Sequence, residues 1–161
     1  MKHIISALVE NKPGVLAHVS GMFAARGFNI DSLVVGRTED PKLSRMTIVV
    51  IGDDRILEQV RKQLGKIIPV VKVLDYVGKP VVARDLMLIS ISAPPEKRPE
   101  IFPLIEMFRG RVVDIGHKTI MVEVSGPETK MEAFIETCKP YGIKSLARTG
   151  TIAMPRQGAG A

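Results

Sequence analysis

Residues 10–16 read Glu-Asn-Lys-Pro-Gly-Val-Leu, the end of a strand-like run that passes through Asn11, Pro13 and Gly14 into a helical pattern. A helix opening presents backbone N–H groups without intrahelical acceptors and a partial positive charge, which together bind a carboxylate. Gly14 would let such a ligand approach the backbone closely, because no Cβ stands in the way. Asn11 offers an amide oxygen that can accept from an ammonium group. A free amino acid carries both groups. The same residues also make an ordinary turn and cap, and Asn29, after Gly27, reads equally well as a polar residue at the start of a strand.

Chemistry of other kinds finds little support along the chain. Intrinsic catalysis needs a nucleophile with a base, a paired acid and base, or a metal cluster. His3, His18 and His117 are scattered, with no Cys or His at ligand spacing, and read as surface or helix-face residues. Gly-rich phosphate loops are absent. The lone Cys138 falls at apolar helical spacing and reads as a buried structural thiol. An RNA-recognition domain would share the element order below, and Arg26-Gly27-Phe28 begins like its aromatic signature, but these residues end a helix and no second aromatic follows.

The elements that must position the loop repeat. Residues 3–10 are β-rich, residues 15–26 place Val15, Val19, Met22 and Phe23 on one helical face, and residues 29–36 are again strand-like. A third strand is expected over 45–51, and Gly52-Asp53-Asp54 supplies N-cap chemistry for a helix whose Leu57, Val60 and Leu64 share a face. Residues 70–77 close the unit. After Gly78-Lys79-Pro80 the pattern restarts near Arg84: a strand at 86–92, a helical stripe of Ile101, Leu104, Ile105 and Phe108, and strands at 112–116 and 119–124. Ser125-Gly126-Pro127-Glu128 reads as a capping box opening a helix with Met131, Phe134, Ile135 and Cys138 inward, and residues 143–151 end the pattern.

This is an α/β (α+β) chain of two ferredoxin-like βαββαβ domains in tandem, expected over 1–78 and 79–161. A length of 161 residues accommodates both, since independently folding domains begin at roughly 50 to 60 residues. Each sheet needs helices on one face only, and strands apolar on both phases, such as 48–51, require cover for the other face. The net charge of +6 is dispersed and aromatics make up 4%, a balance that argues against nucleic acid. The apolar runs fall far short of the ~18 residues that span a bilayer. No membrane association is expected, and with a single cysteine the location is read as cytoplasmic.

Residues 10–16 followed by 23–33 (Phe-Ala-Ala-Arg-Gly-Phe-Asn-Ile-Asp-Ser-Leu) resemble an ACT domain, and Asp40-Pro41-Lys42-Leu43-Ser44-Arg45-Met46-Thr47-Ile48 narrows the resemblance to the small, regulatory subunits of acetolactate synthase. It runs from about His3 to Tyr76 and more loosely through residues 84–91 and 108–115. It implies a subunit without chemistry of its own that keeps a catalytic large subunit active and sensitive to feedback by a branched-chain amino acid, valine foremost. It further implies a homodimer through the ACT domains, with effector held by Asn11, Gly14, Val15 and Leu16 of one chain and Asn29 and Ile30 of the other. No cofactor is expected in this chain; thiamine diphosphate, Mg and FAD are implied for the catalytic partner. The second half has Ser92-Ala93-Pro94-Pro95-Glu96 where a ligand loop would fall, so by resemblance it serves contact with the catalytic subunit. A free-standing ACT-domain sensor of amino acids that regulates another enzyme is the alternative.

Overall fold

The computed structural model describes residues 1–158. Their contacts divide them into two units, Met1–Val82 together with residues 151–158, and Ala83–Gly150.

The first unit runs β1 (Lys2–Glu10), α1 (Val15–Ala25), β2 (Ile30–Arg37), β3 (Leu43–Ile51), α2 (Asp54–Gly65) and β4 (Val70–Asp75). The strands form an antiparallel sheet in the order β2-β3-β1-β4, with β2 at one edge. Register follows the alternation of side chains: Ile5 lies opposite Ile48 and Ala7 opposite Met46, so one face is apolar throughout. Onto that face pack Val15, Val19 and Phe23 of α1 and Leu57, Val60 and Leu64 of α2, all buried. Spacings of three and four put each trio on a single helical face. Phe23 is 1% exposed, and its truncation to alanine would cost about 3 to 5 kcal/mol. Asp53 begins α2 as expected, its Oδ1 accepting from the Ile56 N–H at 2.9 Å.

Part of the opposite face is buried too. Ser6, Thr47 and Val49 point away from the helices yet are 1%, 2% and 4% exposed. The chain returns to this unit at Thr151, whose N–H donates to Ser32 Oγ at 3.1 Å; Ser32 pairs with Val49 on that same face. A short strand, β9 (Ile152–Pro155), follows and pairs with β5 (Val81–Ser92), and the Arg156 N–H donates to Pro80 O.

The second unit repeats the plan with β5, α3 (Arg98–Met107), β6 (Arg111–Ile115), β7 (Thr119–Gly126), α4 (Glu128–Cys138) and β8 (Ile143–Arg148), the strands in the order β6-β7-β5-β8. Met87, Ile89 and Ile91 of β5 and Ile120, Val122 and Val124 of β7 meet Ile101 and Ile105 of α3 and Met131, Phe134 and Cys138 of α4. Phe108 and Phe134 meet edge to face, with centroids 5.1 Å apart.

Three expectations need correction. Ser125 does not cap α4: the N-cap is Pro127, and no side chain caps the helix. His3 lies on neither the surface nor a helix; it is buried on β1, with Nε2 3.0 Å from Gly52 O. The first strand of the second half begins at Val81, five residues before Leu86, because β9 supplies a pairing partner that lies far along the chain.

Candidate functional site

The loop between β1 and α1 is fixed by its own backbone. The Glu10 N–H donates to Pro69 O at 2.9 Å, and the Asn11 N–H donates to Lys42 O at 2.7 Å. The Asn11 Nδ2 donates to Pro41 O at 3.0 Å, so loop and β2–β3 turn are joined twice through one residue. With its nitrogen so used, the Asn11 amide keeps its oxygen for a ligand donor. Lys12 Nζ reaches back to Glu10 Oε2 at 3.0 Å, forming an exposed ion pair within the loop.

Gly14 is the N-cap of α1 and adopts φ 84°, ψ −10°, a left-handed conformation that L side chains seldom take. No side chain caps this helix. The first helical hydrogen bond runs from the His18 N–H to Gly14 O at 3.0 Å. The N–H groups of Val15, Leu16 and Ala17 precede it and have no intrahelical acceptor. An ideal Cβ on Gly14 meets nothing within 4 Å, so the space beside Gly14 itself is open. Val15 turns into the core, while Leu16 remains 45% exposed beside the loop.

Asn29 and Ile30 are elsewhere. They follow the end of α1, where Arg26 is the C-cap, Gly27 has φ 68° and the Phe28 N–H donates to Phe23 O. Asn29 is exposed; Ile30 is half-buried, opposite Val50 at the start of β2, next to a bulge at Asp31. The structure therefore brings Asn11, Gly14, Val15 and Leu16 together and sets Asn29 and Ile30 apart from them by the whole of α1. Eleven residues span about 16 Å.

The equivalent place in the second unit is closed. The Ala93 N–H donates to Lys118 O at 2.7 Å, matching the bond from Asn11 to Lys42. Arg98 then takes the part of the Asn11 side chain: its Nε donates to Ala93 O at 2.9 Å and its guanidinium reaches Gly116 O and His117 O. Where the first unit leaves an amide oxygen free, the second presents a cation already satisfied by three carbonyls. Sequence reasoning registered only a missing loop. The available signal was an arginine five residues after Ala93.

Other candidates fall to structural roles. Burial pushes the Cys138 thiol up to about 11, so it is protonated and inert near neutrality. The Phe28 ring packs edge to face on Phe23 in the core, and no stacking platform for bases results. Among the described residues no group of three or more His, Cys, Asp or Glu side chains is placed to hold a metal ion. Among the described residues no helix is long and apolar enough to cross a membrane.

A βαββαβ unit with an uncapped, glycine-led helix opening after its first strand has the architecture of the ACT class. Residues 5–72 match the family described as AHAS small subunit-like ACT domain, and residues 84–157 match that described as small subunit of acetolactate synthase. The chain is 56% identical over 156 residues to the probable acetolactate synthase small subunit of Archaeoglobus fulgidus, covering 97% of this chain and 98% of that protein. It is 46% identical over 157 residues to the acetolactate synthase small subunit of Bacillus subtilis, covering 97% and 91%. The crystal structure of the Thermotoga maritima small subunit superposes with a TM-score of 0.90 at 42% identity, over 98% of this chain and 99% of that one. The chain belongs to the acetolactate synthase small subunit family.

Proposed function

We propose that this protein is the non-catalytic regulatory subunit that activates the catalytic large subunit of acetolactate synthase and confers feedback inhibition by valine. Effector is held where the β1–α1 loop of one chain meets the β2 start of another. Backbone N–H groups of Val15 and Leu16 receive its carboxylate, Gly14 leaves room for it, and Asn11 Oδ1 accepts from its ammonium group. Leu16 offers apolar surface to the aliphatic side chain. Asn29 and Ile30 of the second chain complete the enclosure.

The observation that carries this reading is the separation of the two residue groups by the length of α1 within one chain, on a unit whose β2 edge is unpaired by its own sheet. A twofold axis beside β2 would set two copies of α1 antiparallel, so the start of one helix faces the end of the other. Both residue groups then meet at two symmetric places. Feedback follows if the catalytic subunit binds the effector-free form better, and a coupling of about 1 to 3 kcal/mol suffices for a 5- to 150-fold change in affinity.

Thiamine diphosphate, Mg and FAD belong to the catalytic partner in this reading, and no step of the regulation passes through them. The test is calorimetric titration of the purified protein with valine, leucine and isoleucine, followed by an acetolactate-forming assay with the catalytic subunit present. Saturable valine binding together with valine-dependent inhibition supports the proposal. Binding without any effect on the assay would favour a free-standing sensor serving another enzyme.

A further inference from the structure

The first helix of each unit ends in the same way. After α1 the Gly27 N–H donates to Ala24 O at 3.2 Å and the Phe28 N–H to Phe23 O at 3.0 Å; after α3 the Arg109 N–H donates to Glu106 O and the Gly110 N–H to Ile105 O, both at 2.9 Å. This closure puts the residue after the C-cap in the left-handed region, where glycine is the usual occupant. The first unit has Gly27 there, with φ 68°; the second has Arg109, with φ 53°, the one non-glycine residue of positive φ among the described residues. The second unit spends its glycine one position later, where packing demands it: a Cβ on Gly110 would stand 3.0 Å from Val124 Cγ2 and 3.1 Å from Ile105 Cγ2. No packing demands an arginine at 109. Its side chain is exposed and has no hydrogen-bond or ion-pair partner among the described residues.

A second departure from local preference lies on the exposed side of α3. Pro103 stands inside the helix, where it has no N–H to offer the Pro99 carbonyl. Met107, one turn further on and so on the same face, is 76% exposed, and Phe102 beside Pro103 is 36% exposed. Residues that break a local rule without serving the core are expected where a surface has a task. Met, Phe and Arg are also the side chains enriched at the centres of protein interfaces. An unpaired guanidinium next to exposed apolar groups complements a carboxylate set among apolar side chains.

We infer that Phe102, Pro103, Met107 and Arg109 form the surface by which the second unit docks on the catalytic large subunit. Arg109 donates to a carboxylate of that subunit, and Met107 and Phe102 cover the contact from water. The opposite end of α3 is closed to an effector by Arg98, which leaves this unit free for a macromolecular partner. The inference rests on the regulatory reading above.

The test measures affinity for the catalytic subunit in the full-length wild type and in Arg109→Gly, Arg109→Glu, Met107→Glu and Lys144→Glu, with melting temperature and sedimentation of each protein alone. Lys144 is exposed on β8, at the opposite edge of this sheet from β6, and its substitution makes the same change of charge as Arg109→Glu. Arg109→Gly and Met107→Glu are each expected to lower affinity by about tenfold or more, Arg109→Glu to lower it further, and Lys144→Glu to stay within about 3-fold of wild type. Arg109→Gly should also melt at or above the wild-type temperature, because glycine relieves the left-handed backbone; a lower melting temperature would make Arg109 a structural residue and overturn the inference. Wild-type affinity in both Arg109 variants overturns it, as does an equal loss in Lys144→Glu, which would assign the effect to net charge. Altered sedimentation of the Arg109 variants alone overturns it as well, since a second copy of this chain would then cover the patch. A wild-type protein that fails to bind the catalytic subunit overturns the regulatory reading itself, and is told apart because it needs no substitution to appear.

Discussion

Gly14 and Asn29 stand at opposite ends of one helix: Gly14 caps the start of α1, and Asn29 lies three residues beyond its C-cap, Arg26. Both residues are exposed. A site that uses both must draw one from each of two chains, and most of what can be tested follows from that.

Gly14→Asp is expected to abolish the response to valine while the protein still folds. The new carboxylate would stand before the helix N–H groups proposed to receive the ligand's own. An ideal Cβ meets no atom within 4 Å, so the fold loses only the cost of a left-handed aspartate, roughly 1 kcal/mol. Calorimetry showing unchanged valine affinity would remove the loop from the account.

Val35→Lys addresses the dimer. Val35 is 42% exposed on the edge strand β2, and a lysine there blunts edge pairing without disturbing a core. Dimer dissociation in sedimentation is expected to rise by about tenfold or more, equivalent to about 1.4 kcal/mol. Loss of valine binding should accompany it. A variant that stays dimeric at wild-type strength would place the twofold contact away from β2.

Gly21→Ala should stabilise the protein by roughly 0.5 to 1 kcal/mol, because Gly21 is an exposed position inside α1 where an added Cβ meets nothing. A higher melting temperature in calorimetry checks it. A lower one would mean that a neighbouring subunit occupies the space above Gly21.

Stability should fall above pH 9 in part through Cys138. Burial raises its thiol from 9.0 to about 11, so between these values the unfolded chain has released the proton and the folded chain still holds it. The stabilisation is therefore complete below pH 9 and disappears as pH rises through 11. At pH 10 the loss is about 1 kcal/mol. In Cys138→Ala this part of the pH dependence should vanish from denaturant titrations, whatever its baseline stability; an unchanged slope would assign the alkaline loss to other groups.

Much of the fold was legible because its signals are local. Val15, Val19 and Phe23, or Leu57, Val60 and Leu64, declare a buried helical face by spacing alone, and Asp53 announces its helix by cap chemistry. What escaped depends on distant partners. The strand Ile152–Pro155 is four residues long and ends in proline, and it becomes a strand only by pairing with β5. Ser125 has the letters of a capping box, but with Gly126 a strand residue and Pro127 the N-cap, the helix begins too late for its hydroxyl to serve. Of the candidate site, Asn11 through Leu16 was readable as one loop. That Asn29 and Ile30 lie a full helix away from it was readable too, from the helix expected over 15–26, which the structure has at Val15–Ala25.

The most direct measurement is a mixed dimer of one Gly14→Asp chain and one Asn29→Ala chain, isolated with two different affinity tags and titrated with valine. If each site takes Gly14 from one chain and Asn29 from the other, one site is doubly damaged and the second intact, so the account predicts one valine bound per dimer at wild-type affinity. No valine bound at that affinity, as expected when each chain builds its own site, would contradict it.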